Sequence, residues 1–196
     1  MSFDKWHHYF HARLLDLLNR RGQAIAEYQK ALVVDPAFRK AANSLAYCYA
    51  QSGRNREAIE WFERTLALDA TDPYAHYNLA YVQAQLGEPR KAIGHFRAAV
   101  DLNGKLDLAW YGLGLAHATL GEHREAVDAF DHAARIQPMG GPVWYQLGMA
   151  CHHACEPERV REIIHHLNRF DRKLARQLIN DAGATDLAWL VKDLAV

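Results

Sequence analysis

Four alanine–aromatic pairs, Ala24/Tyr28, Ala58/Phe62, Ala92/Phe96 and Ala126/Phe130, recur along the chain at a constant step of 34 residues. That step is the length of one helix–turn–helix unit, so the pattern predicts an array of stacked repeats. A unit of this size cannot bury its own apolar face; it needs a neighbour on each side. The finished array presents an extended surface and seldom carries out chemistry.

Counting by 34 from Lys5 gives units 5–38, 39–72, 73–106, 107–140 and 141–174, with residues 175–196 closing the array. The seventh place of each unit holds His11, Leu45, Leu79, Leu113 and Leu147. The eighth holds Ala12, Ala46, Ala80, Gly114 and Gly148, all small enough for two helices to approach closely. Trp110 and Trp144 stand at the fourth place of the last two units. Gly53, Gly87 and Gly121 fall at the fifteenth place, where a helix ends in a left-handed residue, and Asn19 substitutes in the first unit. Pro36 and Pro138 close the first and fourth units, since proline does not continue a helix. Together these residues resemble the tetratricopeptide repeat family, W-x2-L-G-x2-Y…A-x3-F…P. The resemblance implies an all-α superhelical solenoid of helix–turn–helix repeats, used to hold partner proteins.

The departures carry information of their own. His8 and His11 replace the usual Trp and Leu, so the first helix is expected to be the weakest fit and to fray. In the fifth unit Cys155 replaces the turn glycine, and Val160, Ile164 and Leu167 replace the alanine–aromatic–alanine series, as suits a different neighbour. Residues 171–181 read as a further helix stopped by Gly183. Asp186–Ala195 read as a short amphipathic helix, with Leu187, Leu190, Val191 and Leu194 on one face. These terminal helices are expected to cap the array; docking or homo-oligomerisation through the last one is the rival role.

Composition narrows the function. The chain has 23 basic and 23 acidic residues and no net charge, which disfavours general nucleic-acid binding. No stretch approaches the roughly 20 apolar residues of a membrane helix, and the start MSFDKWHHYFHARLLDLL lacks the form of a secretory peptide. Three cysteines without a pairing framework point to a reducing compartment, the cytoplasm.

Places two, five, nine and twelve of the first helices, with the neighbouring sixth, define a second stripe, which in the repeat family lines the concave groove. The fifth place reads Tyr9, Asn43, Tyr77, Tyr111 and Tyr145. The second adds Trp6, Lys40 and Tyr74, the ninth Arg13, Tyr47 and Tyr81, and the sixth Asn78 and Gln146. Tyr, Trp and Asn combine large contact area with hydrogen-bonding ends, as binding surfaces favour. Tyrosine at the fifth place also packs between units, so the strongest expectation centres on Tyr74, Tyr77, Asn78 and Tyr81. The family's clamp for chaperone carboxylate tails would read Tyr9, Arg13, Ser44, Tyr74 and Asn78 here, without its two distal cations. An extended peptide or a partner helix fits better.

Twelve histidines raise a metal hypothesis, centred on Cys151, His152, His153 and Cys155. Cys151 and Cys155 share a helix face, and their softness suits zinc or copper(I). Cys151 lies at a core place, however, and the tight paired spacings of structural zinc are absent. His7, His8 and His11 read as a polar first-helix surface. The chain lacks a phosphate-cradling glycine loop, a His-Glu-x-x-His helix and a nucleophile elbow, so no enzyme and no cofactor are expected. Glu57, Glu60 and Glu63 read as a solvated face of the second helices.

Overall fold

The computed structural model describes residues 2–192, and every regular element among them is helical. The helices are α1 (Ser2–Leu17), α2 (Arg21–Val34), α3 (Arg39–Gln51), α4 (Asn55–Leu68), α5 (Pro73–Gln85) and α6 (Pro89–Leu102). They continue with α7 (Asp107–Thr119), α8 (His123–Ile136), α9 (Gly141–His153), α10 (Pro157–Leu167) and α11 (Arg172–Asp181), and end in a 3-10 helix, Thr185–Val191. The chain divides into two compact units at Asn103/Gly104, the first holding α1–α6 and the second the rest.

The sequence dictates where each first helix stops. Gly53, Gly87 and Gly121 take φ of 72°, 75° and 75°, and Asn19 and Cys155 take 59° and 62° at the same place. The reversal lets the next amide reach back over the last turn: Arg54 N donates to Tyr49 O at 3.0 Å. Arg20, Glu88, Glu122 and Glu156 repeat that bond to Leu15, Gln83, His117 and Cys151. Cys155 therefore adopts the glycine conformation despite its β-carbon. Asp72 opens α5, accepting from Tyr74 N and Ala75 N at 3.0 and 3.2 Å.

In the first unit Ala24, Tyr28, Ala58, Phe62, Ala92 and Phe96 are all buried, each ring worth about 1.5–3 kcal/mol of burial. α3 packs on α2 and α5 on α4. The third and tenth places of those first helices are accordingly closed, with Ala41 and Cys48 in α3 and Ala75 and Val82 in α5 all buried. In α1 the same places carry His7 and Leu14, which are exposed, as are Phe3 and Phe10.

α1 runs unbroken from Ser2 to Leu17, against the expectation of fraying. The reason is a pair of contacts that stand in for the missing Trp and Leu. His8 Nδ1 meets Glu27 Oε2 at 2.7 Å, so His8 is half-buried rather than part of a polar surface. Trp6 packs edge-on against Phe38, with ring centroids 4.8 Å apart.

In the second unit Trp110 and Trp144 each donate their indole N–H to a carbonyl six residues back, Gly104 O at 3.0 Å and Pro138 O at 2.9 Å. Their rings cover His132 and His166, which also lie one 34-residue step apart. At the eighth place α7 and α9 come so close to their neighbours that a β-carbon on Gly114 would sit 2.6 Å from the Phe130 ring. One on Gly148 would sit 2.4 Å from Leu178. Leu178 belongs to α11, which buries Leu178 and Ile179 against Val160, Ile164 and Leu167.

The expected terminal α-helix over Asp186–Ala195 is instead a 3-10 helix, Thr185–Val191. Its first turn closes i→i+3, with Leu187 N donating to the Ala184 carbonyl at 3.0 Å. Leu187 and Val191 are buried while Arg172 donates to the Leu190 carbonyl at 3.1 Å. Leu194 and Ala195 lie outside the described residues.

Candidate functional site

The stripe at places two, five, six and nine has a different character in each unit. In the first unit Tyr47, Tyr74 and Tyr81 are 47 %, 56 % and 48 % exposed, which is high for large aromatic side chains. Tyr74 and Tyr81 come from α5, and between them lie half-buried Tyr77 and Asn78. Tyr77 is both a core and a surface residue: its ring lies 6.1 Å from Phe96 and 6.3 Å from Tyr81. On α3, Asn43 is partly buried, and its Oδ1 is enclosed without a hydrogen-bond partner. Lys40 sets its ammonium 5.5 Å from the Trp6 ring, an internal cation–π contact. Arg13 is exposed.

Tyr9 does not belong to this surface. It is 8 % exposed and packs between Tyr28 and Phe38, with the Trp6 ring edge-on to it at 5.7 Å, so α1 carries it into an aromatic cluster.

In the second unit the stripe is used internally. Tyr111 lies 5.7 Å from Phe130 and hydrogen-bonds Gln146, which occupies the Gln146 side chain as well. Tyr145 donates to Asp181 at 2.6 Å, tying α9 to α11; that bond, then burial, raises its phenol above the usual range. The open tyrosines are thus those of α3 and α5.

The side chains of the cysteine–histidine segment point to different surroundings. Cys151 is buried, and burial pushes its thiol up to about 12, so it stays protonated. Cys155, His152 and His153 are exposed, with His153 stacked on His123. Among the described residues no three His, Cys, Asp or Glu side chains converge as metal ligands.

Residues 11–73 match the family model described as tetratricopeptide repeat. Residues 51–133 match the model described as anaphase-promoting complex, cyclosome, subunit 3. A solved structure of MamA superposes with a TM-score of 0.79 at 23 % identity, covering 100 % of this chain and 99 % of that one. The chain is a tetratricopeptide repeat protein. A second structure, YrrB, is described as a tetratricopeptide repeat protein with an unusual peptide-binding site; it aligns at 24 % identity with a TM-score of 0.77, covering 88 % of this chain and 90 % of its own. MamA 41-end from Desulfovibrio magneticus RS-1 aligns at 15 % identity and a TM-score of 0.77, covering 91 % and 96 %. No curated protein matches. These likenesses show the fold of this tetratricopeptide repeat protein and leave its ligand to its own residues.

The sequence pattern missed one feature of the first unit. Gln83, at a place normally apolar, is buried beside two histidines, His76 and His95. A polar residue at the eleventh place was the available signal.

Proposed function

We propose that this protein is a non-catalytic interaction scaffold whose α3–α5 face holds an extended peptide or a helix of a partner protein. The observation that carries the reading is the trio of half-exposed tyrosines, Tyr47, Tyr74 and Tyr81, around Tyr77 and Asn78. Rings of this kind supply contact area at low entropic cost. Asn78, half-buried between Tyr74 and Tyr81, supplies an amide to bond a peptide backbone, whereas Asn43 keeps its Oδ1 enclosed beside the face. Trp6, Arg13 and Lys40 flank the face along α1 and α3. Tyr111, Tyr145 and Gln146 are turned to internal bonds and contribute less.

The same reading takes 5–174 as five repeat units closed by 175–196, and a protein rather than a nucleic acid as the partner, in line with the balanced charge. It places the chain in the cytoplasm, in keeping with three free cysteines. Among the described residues no helix is long and apolar enough to cross a membrane. Homo-oligomerisation through the end of the chain loses support, since Leu187 and Val191 are used internally.

The test uses peptides selected from a random display library on the intact protein, with binding measured by calorimetry. Tyr77 packs on Phe96, so Tyr74→Ala/Tyr81→Ala is the cleaner variant. Hot-spot rings are each worth roughly 2 kcal/mol or more, so affinity should fall about 30-fold or more per ring with helicity intact. Added salt should matter little. Selected peptides that bind the double variant as well as the wild type place the site elsewhere.

A further inference from the structure

A second site lies in the same unit, on α4, α5 and α6, and shares only α5 with the tyrosine face. A cleft of about 850 Å³ is lined by Ile59, Glu60 and Glu63 of α4, His76 and Gln83 of α5, and His95 of α6. None of these residues belongs to the tyrosine face.

The hydrogen bonds of the cleft leave it with acceptors and few donors. The Ala70 carbonyl can only accept, so His76 Nε2, 3.1 Å away, donates to it. A neutral His76 then keeps a lone pair on Nδ1, and His95 Nδ1 donates to that atom across 3.1 Å. His95 Nε2 is left as an acceptor. Burial, and after it His76, hold the His95 imidazole below its usual range and so neutral.

Gln83 is 4 % exposed, and its Oε1 has no hydrogen-bond partner. Equivalent residues one 34-residue step away are closed. Tyr49 Oη accepts from Gln29 at 3.0 Å with Arg54 over its ring, and His117 Nδ1 meets Glu122 at 2.6 Å. Gln83 alone of these three keeps a buried acceptor open, which is costly unless something donates to it.

Charge points the same way. Glu88 is engaged by Lys91 at 3.0 Å. That leaves the exposed carboxylates of Glu60 and Glu63 facing the single remaining cation of the lining, Arg56. No three metal-ligating side chains converge here among the described residues.

We propose that this cleft binds a guanidinium group, with Gln83 Oε1 and His95 Nε2 accepting from it and Glu60 and Glu63 supplying the opposing charge. A guanidinium is planar, permanently charged and carries five N–H donors and no acceptor, which suits several dispersed acceptors better than a compact ammonium does. The group is either the end of a partner's arginine side chain or a free guanidino compound.

The experiment titrates the labelled full chain with agmatine, with the tripeptide acetyl-Gly-Arg-Gly-amide, and with its citrulline counterpart, following amide shifts by NMR. Agmatine or the arginine peptide should give saturable shifts confined to α4–α6, and the neutral citrulline peptide none. Response to agmatine alone identifies a small-molecule site; response to the arginine peptide identifies a side-chain pocket. Charge-assisted bonds predict at least about tenfold weaker binding in Glu60→Gln/Glu63→Gln and in Gln83→Met. Tyr74→Ala/Tyr81→Ala should bind as the wild type does, separating this site from the tyrosine face. Absent shifts, equal binding of citrulline, or unchanged affinity in the Glu60→Gln/Glu63→Gln variant overturns the proposal. Those two glutamates are exposed, so that variant decides the matter even if Gln83→Met fails to fold.

Discussion

Two chemically identical substitutions, Gly94→Ala and Gly114→Ala, should differ in stability by about 1–3 kcal/mol. Both glycines lie inside helices, α6 and α7, so each replacement gains about 0.8–1 kcal/mol of helix propensity. Around Gly94 nothing lies within 4 Å of the new β-carbon, and the whole gain should appear. At Gly114 the β-carbon would stand 2.6, 2.7 and 2.9 Å from three atoms of the Phe130 ring. Carbon atoms prefer about 3.5–4.0 Å, so ring or helix must yield by roughly 1 Å. Phe130 is 1 % exposed and has nowhere to go without disturbing its own contacts. Overpacking of this kind costs about 1–3 kcal/mol. Subtracting the propensity gain leaves Gly114→Ala from neutral to about 2 kcal/mol destabilised, and propensity cancels in the comparison of the two variants. Urea unfolding followed by circular dichroism measures both, with equal slopes required for a valid comparison. If Gly114→Ala stabilises as much as Gly94→Ala, the close approach of α7 to Phe130 is wrong. Gly114→Leu, far bulkier, should abolish folding of the second unit.

Three further outcomes are expected. Cys155→Gly should raise stability by about 1 kcal/mol, seen as a higher melting temperature, because a left-handed conformation costs a side-chain-bearing residue about 1–2 kcal/mol. The Lys30 ammonium, aided by His8, holds the Glu27 carboxyl at about 2, below its ordinary 4.5. Its contribution is therefore complete above pH 4.5 and is lost as pH falls toward 2, and Glu27→Gln should flatten that part of the acid-unfolding curve. His95 is held below the ordinary 6.5, so the unfolded chain takes up a proton that the folded one resists; stability should drop as pH falls through 6.5, and urea midpoints at pH 7.5 and 5.5 should converge in His95→Phe.

The fold was legible because its determinants are local and repeated. Starts of α3, α5, α7 and α9 at Arg39, Pro73, Asp107 and Gly141 follow from turn residues and small eighth-place residues that recur in register. Pairings between elements were not legible. Nothing in the sequence around His8 announces Glu27, and only the fold brings His76 to His95, 19 residues apart like the first pair. The tyrosine stripe was visible as a pattern, but exposure separates its members. Tyr9 sinks into an aromatic cluster, Tyr145 turns to Asp181, and Tyr74 and Tyr81 stay open, each decided by what the neighbouring helix carries. Glu60 and Glu63 read as solvated charges until the cleft beside Gln83 gave them a neighbour.

The packing of α3 on α2 and of α5 on α4 uses matching residues, Ala41 and Cys48 in one case and Ala75 and Val82 in the other. A genetic event that removes or copies a block of 34 codons would therefore join surfaces that already fit. Deleting residues 39–72 would set α5 against α2, an encounter between faces of the kinds that meet now. Lengthening by recombination asks this fold to invent no new interface, whereas a gain or loss within a helix that is not a whole multiple of 34 breaks the register of the faces that follow it. Such a gene is free to change its length in whole steps, and selection can then alter the few exposed side chains of the added unit without renegotiating its interior.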